Sequence, residues 1–493
     1  MKYLLGYDIG SSSVKAALVE VNTGKPIATV FSPESEMPIV SPKPGFAEQD
    51  PERWWSELIV ATQKLRQQTS FQPNEIAAIG ISYQMHGLVC LDQSLKPLRS
   101  SIIWCDSRAV DVGNKALQHL GEQFCLQHFL NAPGNFTASK LKWVKDHEPA
   151  VYEKIYKIML PGDYIALKLS GEVSTTVSGL SEGIFWDYST NNIATSLLKE
   201  YGIDETLLSP LVKTFSIQAR LSADAARQLQ LKEGTPIGYR AGDQPNNAYS
   251  LNVLEPGEVA ATAGTSGVVY GVTDTITYDQ KSRVNTFVHV NHSHEQPRYG
   301  VLLCINGTGI LNSWLRKNFF DGVSYEAMNR EAEQVAIGAE GVKFYPFGNG
   351  SERILENADP GAGLKSLQFN RHHKGHVARA AQEGIVFAMN YGIEIMKAMD
   401  INLQTVRAGH ANMFLSDVFA STFANATGCV VELYNTDGAV GAARGAGVGA
   451  GVYSDFKESF KGMEITKRIE PDKNFQNQTL EVYQDWKKGM GRD

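Results

Sequence analysis

Hydrophobic positions open the chain as two short runs broken by a polar tip. Residues 2–9 read as a strand, the run stops at Gly10 in a row of serines (Ser11, Ser12, Ser13), and an alternating set at Val14, Ala16, Leu18 and Val19 reads as a second strand over 14–21. The pattern predicts a hairpin tipped by Asp8, Ile9, Gly10, Ser11 and Ser12, with a turn at Asn22-Thr23-Gly24 leading to a strand near 25–32. Asp50 and Pro51 then supply an N-cap and a first helical residue, and Trp54, Trp55, Leu58, Ile59 and Leu65 recur at roughly helical spacing. A short apolar run at 76–82 predicts a buried strand, and GLVCLDQSLKPL, from Gly87, predicts another that ends in a turn. The first third therefore reads β-β-β-α-β-β, an α/β domain of mixed strand pairing.

Residues 131–200 alternate helical segments with short turns, and strands return after Gly242. Within GEVAATAGTSGVVYGVTD (257–274), Gly264-Thr265-Ser266 can be laid over Gly10-Ser11-Ser12, each between two apolar runs. Two such units half a chain apart predict an internally duplicated architecture with a cleft between the copies. Residues 376–399 are expected to form a long amphipathic helix, and 405–428 a strand, a glycine turn and a helix. The Gly- and Ala-rich stretch TDGAVGAARGAGVGAGVY reads as a helix packed so closely that only small residues fit. Its Gly445, Gly447 and Gly449 lack the preceding strand and turn of a dinucleotide fingerprint, and no Gly-Lys-Ser/Thr phosphate loop occurs.

Composition narrows the class. A chain of 493 residues with 43% apolar and 20% charged side chains is expected to form two or three soluble domains. Its net charge of −7 offers no basic surface for nucleic acid or anionic lipid, so any phosphate site must be built locally. The five cysteines are odd in number, widely spaced and free of any CxxC pair, which fits reduced thiols in the cytoplasm. No leader and no apolar run long enough to span a membrane is read from the sequence.

Three stretches carry candidate chemistry. At the first tip, backbone amides around Gly10 and the serine hydroxyls can close on phosphate, a rigid edge offered without a helix terminus. Asp8 has the wrong charge for phosphate unless a cation intervenes, and a carboxylate holding Mg²⁺ is the usual arrangement. Thr262 takes the corresponding place in the second unit, so the metal is expected to be tethered from one side. In GYRAGDQPNNA, Asp243 is either a turn cap or a base that accepts a proton from an attacking hydroxyl beside bound phosphate. Gln84, Met85, His86 and Gly87 follow a strand, where ligand-facing residues of α/β folds gather. Trp104, Asp106 and Arg108 read as alternating along a strand, with Asp106 and Arg108 as an ion pair; His289, His292 and His294 fit a hairpin turn better than a metal site.

Along nearly its whole length the chain resembles the FGGY family of carbohydrate kinases, and within it the kinases that phosphorylate xylulose. The matching stretches are YDIGSSSVKAAL, GFAEQDPERWW, QMHGLVCLD, IIWCDSRA, AGDQPNNA, EPGEVAATAGTSGV and, apart from Asn135 at its opening position, TASKLKWVKDHEP. The resemblance implies a two-domain, duplicated α/β fold of the actin/hexokinase (ribonuclease H-like) type with an interdomain cleft, an N-terminal domain over 1–249 and a C-terminal domain over 250–493. It implies ATP-dependent phosphorylation of D-xylulose to D-xylulose 5-phosphate, with Asp243 as general base toward O5. Met85, His86, Asp243 and Gln244 would contact the ketose, and Asp8 would hold Mg²⁺. Ser11, Ser12, Lys15, Gly264, Thr265 and Ser266 would serve the ATP phosphates, and Thr308, Trp314, Gly409 and Asn412 the rest of the nucleotide. Partners are then a small sugar and ATP, with no nucleic acid or membrane; family habit adds a homodimer, which no sequence feature shows. Two departures stand out: the adenosine turn keeps only Gly409, followed by His410, and Gln244 replaces a frequent Asn. The competing expectations are an FGGY kinase for ribulose, fuculose or glycerol, and a non-catalytic ATP- or sugar-binding protein.

Overall fold

The opening runs pair as their pattern predicts. In the computed structural model, which describes residues 1–491, Tyr3–Ile9 and Val14–Glu20 lie antiparallel, with Asp8 opposite Lys15. Leu4, Leu5, Tyr7 and Ile9 are all fully buried, so the strand is covered on both faces, which is why it reads as continuous rather than alternating. Ile76–Tyr83 joins Tyr3–Ile9 in parallel, and Pro236–Gly242 joins Ile76–Tyr83 in parallel. The six-stranded sheet runs Phe215–Arg220, Pro236–Gly242, Ile76–Tyr83, Tyr3–Ile9, Val14–Glu20, Pro26–Ser32. Its three central strands are parallel and end together, delivering Asp8, the 84–87 turn and Asp243 to one edge. The helix Pro51–Gln68 covers one face of this sheet, capped by the Asp50 side chain, which accepts from the Glu52 amide.

The other face carries the Gly/Ala helix, Gly438–Gly449. A Cβ on Gly6 would lie 1.9 Å from the Ala439 carbonyl oxygen, one on Gly80 1.9 Å from that of Ala442, and one on Gly238 2.5 Å from that of Ala446. Each central strand thus contributes a glycine to the contact, and the expected close packing is found.

By internal contacts the chain forms two units, 1–252 with 287–299 and 436–463, and 253–286 with 300–435 and 464–493. In the second, Val259–Ala263 and Gly267–Thr273 pair antiparallel, and Thr405–Gly409 adds in parallel to Val259–Ala263, which repeats the arrangement at the chain start. The helix Lys374–Ala398 corrects the expected amphipathic segment: it is buried along nearly its whole length. A second correction concerns Trp104, Asp106 and Arg108. The strand Ser101–Ile102 ends before them and they lie in turns and irregular chain, although the ion pair forms, with Arg108 Nη2 2.7 Å from Asp106 Oδ2. The histidine-bearing stretch makes the expected turn, the His289 amide donating to the Arg298 carbonyl and that of Ser293 to Gln296. Among the described residues no helix is long and apolar enough to cross a membrane.

Candidate active site

Asp8 is half-buried at the end of its strand, and its Oδ1 accepts from the Ser82 hydroxyl at 2.8 Å. Lost hydration raises its pKa, Lys15 and the Ser82 hydroxyl oppose the rise, and Asp437 adds to it. A Cβ on Gly438 would lie 2.5 Å from Asp8 Oδ2, so the first residue of the helix Gly438–Gly449 abuts the carboxylate. The expectation of a tip without a helix terminus is therefore wrong: the positive end of a helix dipole faces Asp8. Ser11 accepts from Trp104 Nε1 at 3.4 Å through its hydroxyl and from Gln49 Nε2 at 2.6 Å through its carbonyl, while Ser12 and Lys15 are exposed.

Asp243 is no turn cap. It is the first residue of the helix Asp243–Ser250, and its Oδ2 accepts from Gln244 Nε2 at 3.2 Å. Lost hydration first, and the charge of Asp8 second, push it up to about 7. Met85 packs against the residue before it: a Cβ on Gly242 would meet Met85 Cγ at 2.6 Å. His86 follows in a left-handed backbone conformation, φ 62°, with Phe136 edge-on at 4.9 Å and Phe287 at 5.5 Å. The structure thus brings Asp8, Met85, His86, Asp243 and Gln244 to one sheet edge. Among the described residues no group of three or more His, Cys, Asp or Glu is arranged to hold a metal by itself. The Asp8 carboxylate, held at the strand end by the Ser82 hydroxyl, is a hard oxygen donor of the kind that fits Mg²⁺, an ion that keeps several waters and takes further oxygens from phosphate.

In the second unit the Gly264 and Thr265 carbonyls accept from the amides of Gly309 (2.8 Å) and Ile310 (3.2 Å), the start of the helix Gly309–Phe319. A Cβ on Gly264 would lie 3.6 Å from Asn412 Nδ2, and one on Gly267 2.7 Å from Thr308 Oγ1. Gly264, Thr265, Thr308 and Asn412 are therefore neighbours, with Ser266 partly exposed at the tip. Thr308 is fully buried and its hydroxyl donates to the Ile305 carbonyl at 3.2 Å. Trp314 is 49% exposed on the helix, its ring 5.5 Å from Phe319. Gly409 closes the strand Thr405–Gly409, and Asn412 opens the following turn with φ 55°.

Sequence reasoning missed Glu352. Its buried carboxylate accepts the Asn306 amide at 3.1 Å, together with that of Gly307, and so pins the residues leading into Thr308. Burial holds its carboxyl up to about 7, against about 4.3 for an unfolded glutamate. The folded chain binds this proton more tightly, so the group is neutral and harmless below about pH 4 and costs stability as pH rises through 7. The cost is on the order of 3 kcal/mol by pH 8. Glu352→Gln is expected to flatten the fall in Tm between pH 5 and 8; an unchanged slope contradicts this role.

Residues 3–249 match the FGGY family of carbohydrate kinases, N-terminal domain, and residues 259–450 the family's C-terminal domain. The chain belongs to the FGGY family of carbohydrate kinases and is an ATP-using sugar kinase of the family's two-domain α/β fold. The xylulose kinase of Bacillus subtilis is 29% identical to it over 469 residues, covering 93% of this chain and 90% of that one. A probable L-xylulose kinase of Haemophilus influenzae is 30% identical over 455 residues, 90% of each chain. Among solved structures, a xylulose kinase of Brucella ovis superposes with a TM-score of 0.86 at 25% identity, over 99% of this chain and 98% of that one. A gluconate kinase of Lactobacillus acidophilus gives a TM-score of 0.88 at 22% identity, over 99% and 98%, so shape alone leaves the sugar open.

Proposed function

We propose that this kinase transfers the γ-phosphoryl group of ATP to O5 of D-xylulose, giving D-xylulose 5-phosphate and ADP. The observation that carries the reading is Asp243: half-buried, first in its helix, next to the Gly242 that Met85 packs against and with a proton affinity near neutral pH. A base so placed takes the hydroxyl proton as the oxygen attacks, and a pKa close to the working pH suits that task. Met85, His86 and Gln244 orient the ketose so that one hydroxyl faces Asp243. Ser11, Ser12, Lys15, Gly264, Thr265 and Ser266 serve the phosphates, and Thr308, Trp314, Gly409 and Asn412 the remainder of the nucleotide. Magnesium, for which Asp8 is the anchor, supplies neutralisation of phosphate charge when bound. Asp8→Ala is accordingly expected to raise the Mg²⁺ concentration needed for half-maximal rate at least about tenfold, since one of very few protein ligands is lost. An unchanged Mg²⁺ titration contradicts that role.

Similarity to the Haemophilus influenzae protein supports a second reading, that the acceptor is L-xylulose. Incubation with ATP, Mg²⁺ and each enantiomer, followed by ³¹P and ¹³C NMR, tests both. A phosphomonoester on C5 of D-xylulose is expected; no phosphorylated product from D-xylulose overturns the proposal.

A further inference from the structure

Resting on the acceptor site just described, we propose that Lys140 and Glu182 are positioning residues that grip the His86 backbone from both sides and aim its imidazole at the ketose. His86 occupies a left-handed conformation (φ 62°), uncommon for a residue with a Cβ. The surroundings are two buried ionisable side chains. Glu182, 2% exposed, accepts the His86 amide on Oε2 at 3.3 Å, and its own backbone carbonyl lies 2.9 Å from His86 Nδ1. A carbonyl can only accept, so Nδ1 carries the proton and the tautomer is fixed. Lys140, fully buried, donates from Nζ to the His86 carbonyl at 2.9 Å and to that of Ile103 at 2.9 Å.

Buried charges are costly, and well-packed apolar residues in their place are often at least as stable. Two buried ionisable side chains that both bond the peptide groups of His86, Lys140 also reaching the Ile103 carbonyl, point to a demand for geometry. The Glu182 carboxylate reaches further: a Cβ on Gly242, the residue before Asp243, would lie 3.2 Å from its Oε2. One carboxyl group therefore lies against both the histidine amide and the strand end that carries the base.

Kinetics of the full-length enzyme with D-xylulose test this. Glu182→Leu and Lys140→Met are each expected to raise the KM for D-xylulose at least about tenfold, with the KM for ATP within about twofold. Glu182→Gln, which keeps an oxygen for the His86 amide, should stay within about threefold of wild type. In a His86→Ala background, Glu182→Leu and Lys140→Met should each add less than about twofold, because a residue acting through His86 has nothing left to position. Equal effects with and without His86, a parallel rise in both KM values, or no effect overturns the proposal. Should the variants fail to fold, histidine ¹⁵N NMR of the wild-type enzyme still decides: the His86 signal should be the Nδ1–H tautomer, and an Nε2–H signal overturns the arrangement. Wild-type enzyme that phosphorylates no ketose refutes the proposed function instead, and shows itself before any variant is made.

Discussion

Asp243→Asn is expected to lower kcat by about 10²–10⁴-fold while the KM for ATP stays near its wild-type value. Asparagine has the same shape and still offers an oxygen to Gln244 Nε2, which holds the present side chain at 3.2 Å, so sugar binding should change little. What it cannot do is take a proton. Loss confined to kcat and kcat/KM is the signature of an interaction made in the transition state only. Near-normal turnover removes Asp243 from the chemistry, and a large rise in both KM values indicates a structural role instead.

The second large effect lies away from the reacting groups. Gly6→Ala would place a methyl 1.9 Å from the Ala439 carbonyl oxygen and 2.5 Å from the Ala443 amide nitrogen. Both are backbone atoms of the helix Gly438–Gly449, so no rotamer change relieves the clash, and the helix must move off the sheet. Overpacking of this kind costs about 1–3 kcal/mol or more. At about 2–4 °C per kcal/mol, Tm should fall by about 2–12 °C. The same displacement moves Gly438 away from Asp8, so kcat should fall in the folded enzyme as well. Unchanged Tm and kcat contradict the packing described here.

Much of this frame is legible in the sequence because it rests on short-range features. Strands buried on both faces are continuous apolar runs, the hairpin tips are Gly–hydroxyl pairs, and the Gly/Ala helix announces its own close contact. The site's supports are not legible. Lys140, Glu182 and Gly438 reach His86 and Asp8 from distant parts of the chain, and only Lys140 falls within one of the short motifs that carry the resemblance. Periodicity also misleads where polar side chains satisfy one another inside the core. The helix Lys374–Ala398 looks amphipathic because it contains Arg379, Gln382 and Glu383. Yet Arg379 Nε lies 2.7 Å from Glu383 Oε1, and Gln382 donates to Asn329 Oδ1 at 2.9 Å and accepts from Ser416 at 2.7 Å. Asp106 and Arg108 mislead for a related reason: a buried ion pair two residues apart, with further partners in Ala47 and Glu48, sits in irregular chain and mimics the alternation of a strand.

Family membership is established, and the sugar is the point at which the proposal is most exposed. The most direct test is kcat/KM for ADP release measured side by side with D-xylulose, L-xylulose, ribulose, fuculose, gluconate and glycerol, at fixed ATP and Mg²⁺. D-xylulose should exceed every other acceptor by at least about tenfold, the discrimination that a few well-placed hydrogen bonds provide. A higher value for another acceptor, or no turnover with any of them, contradicts the account.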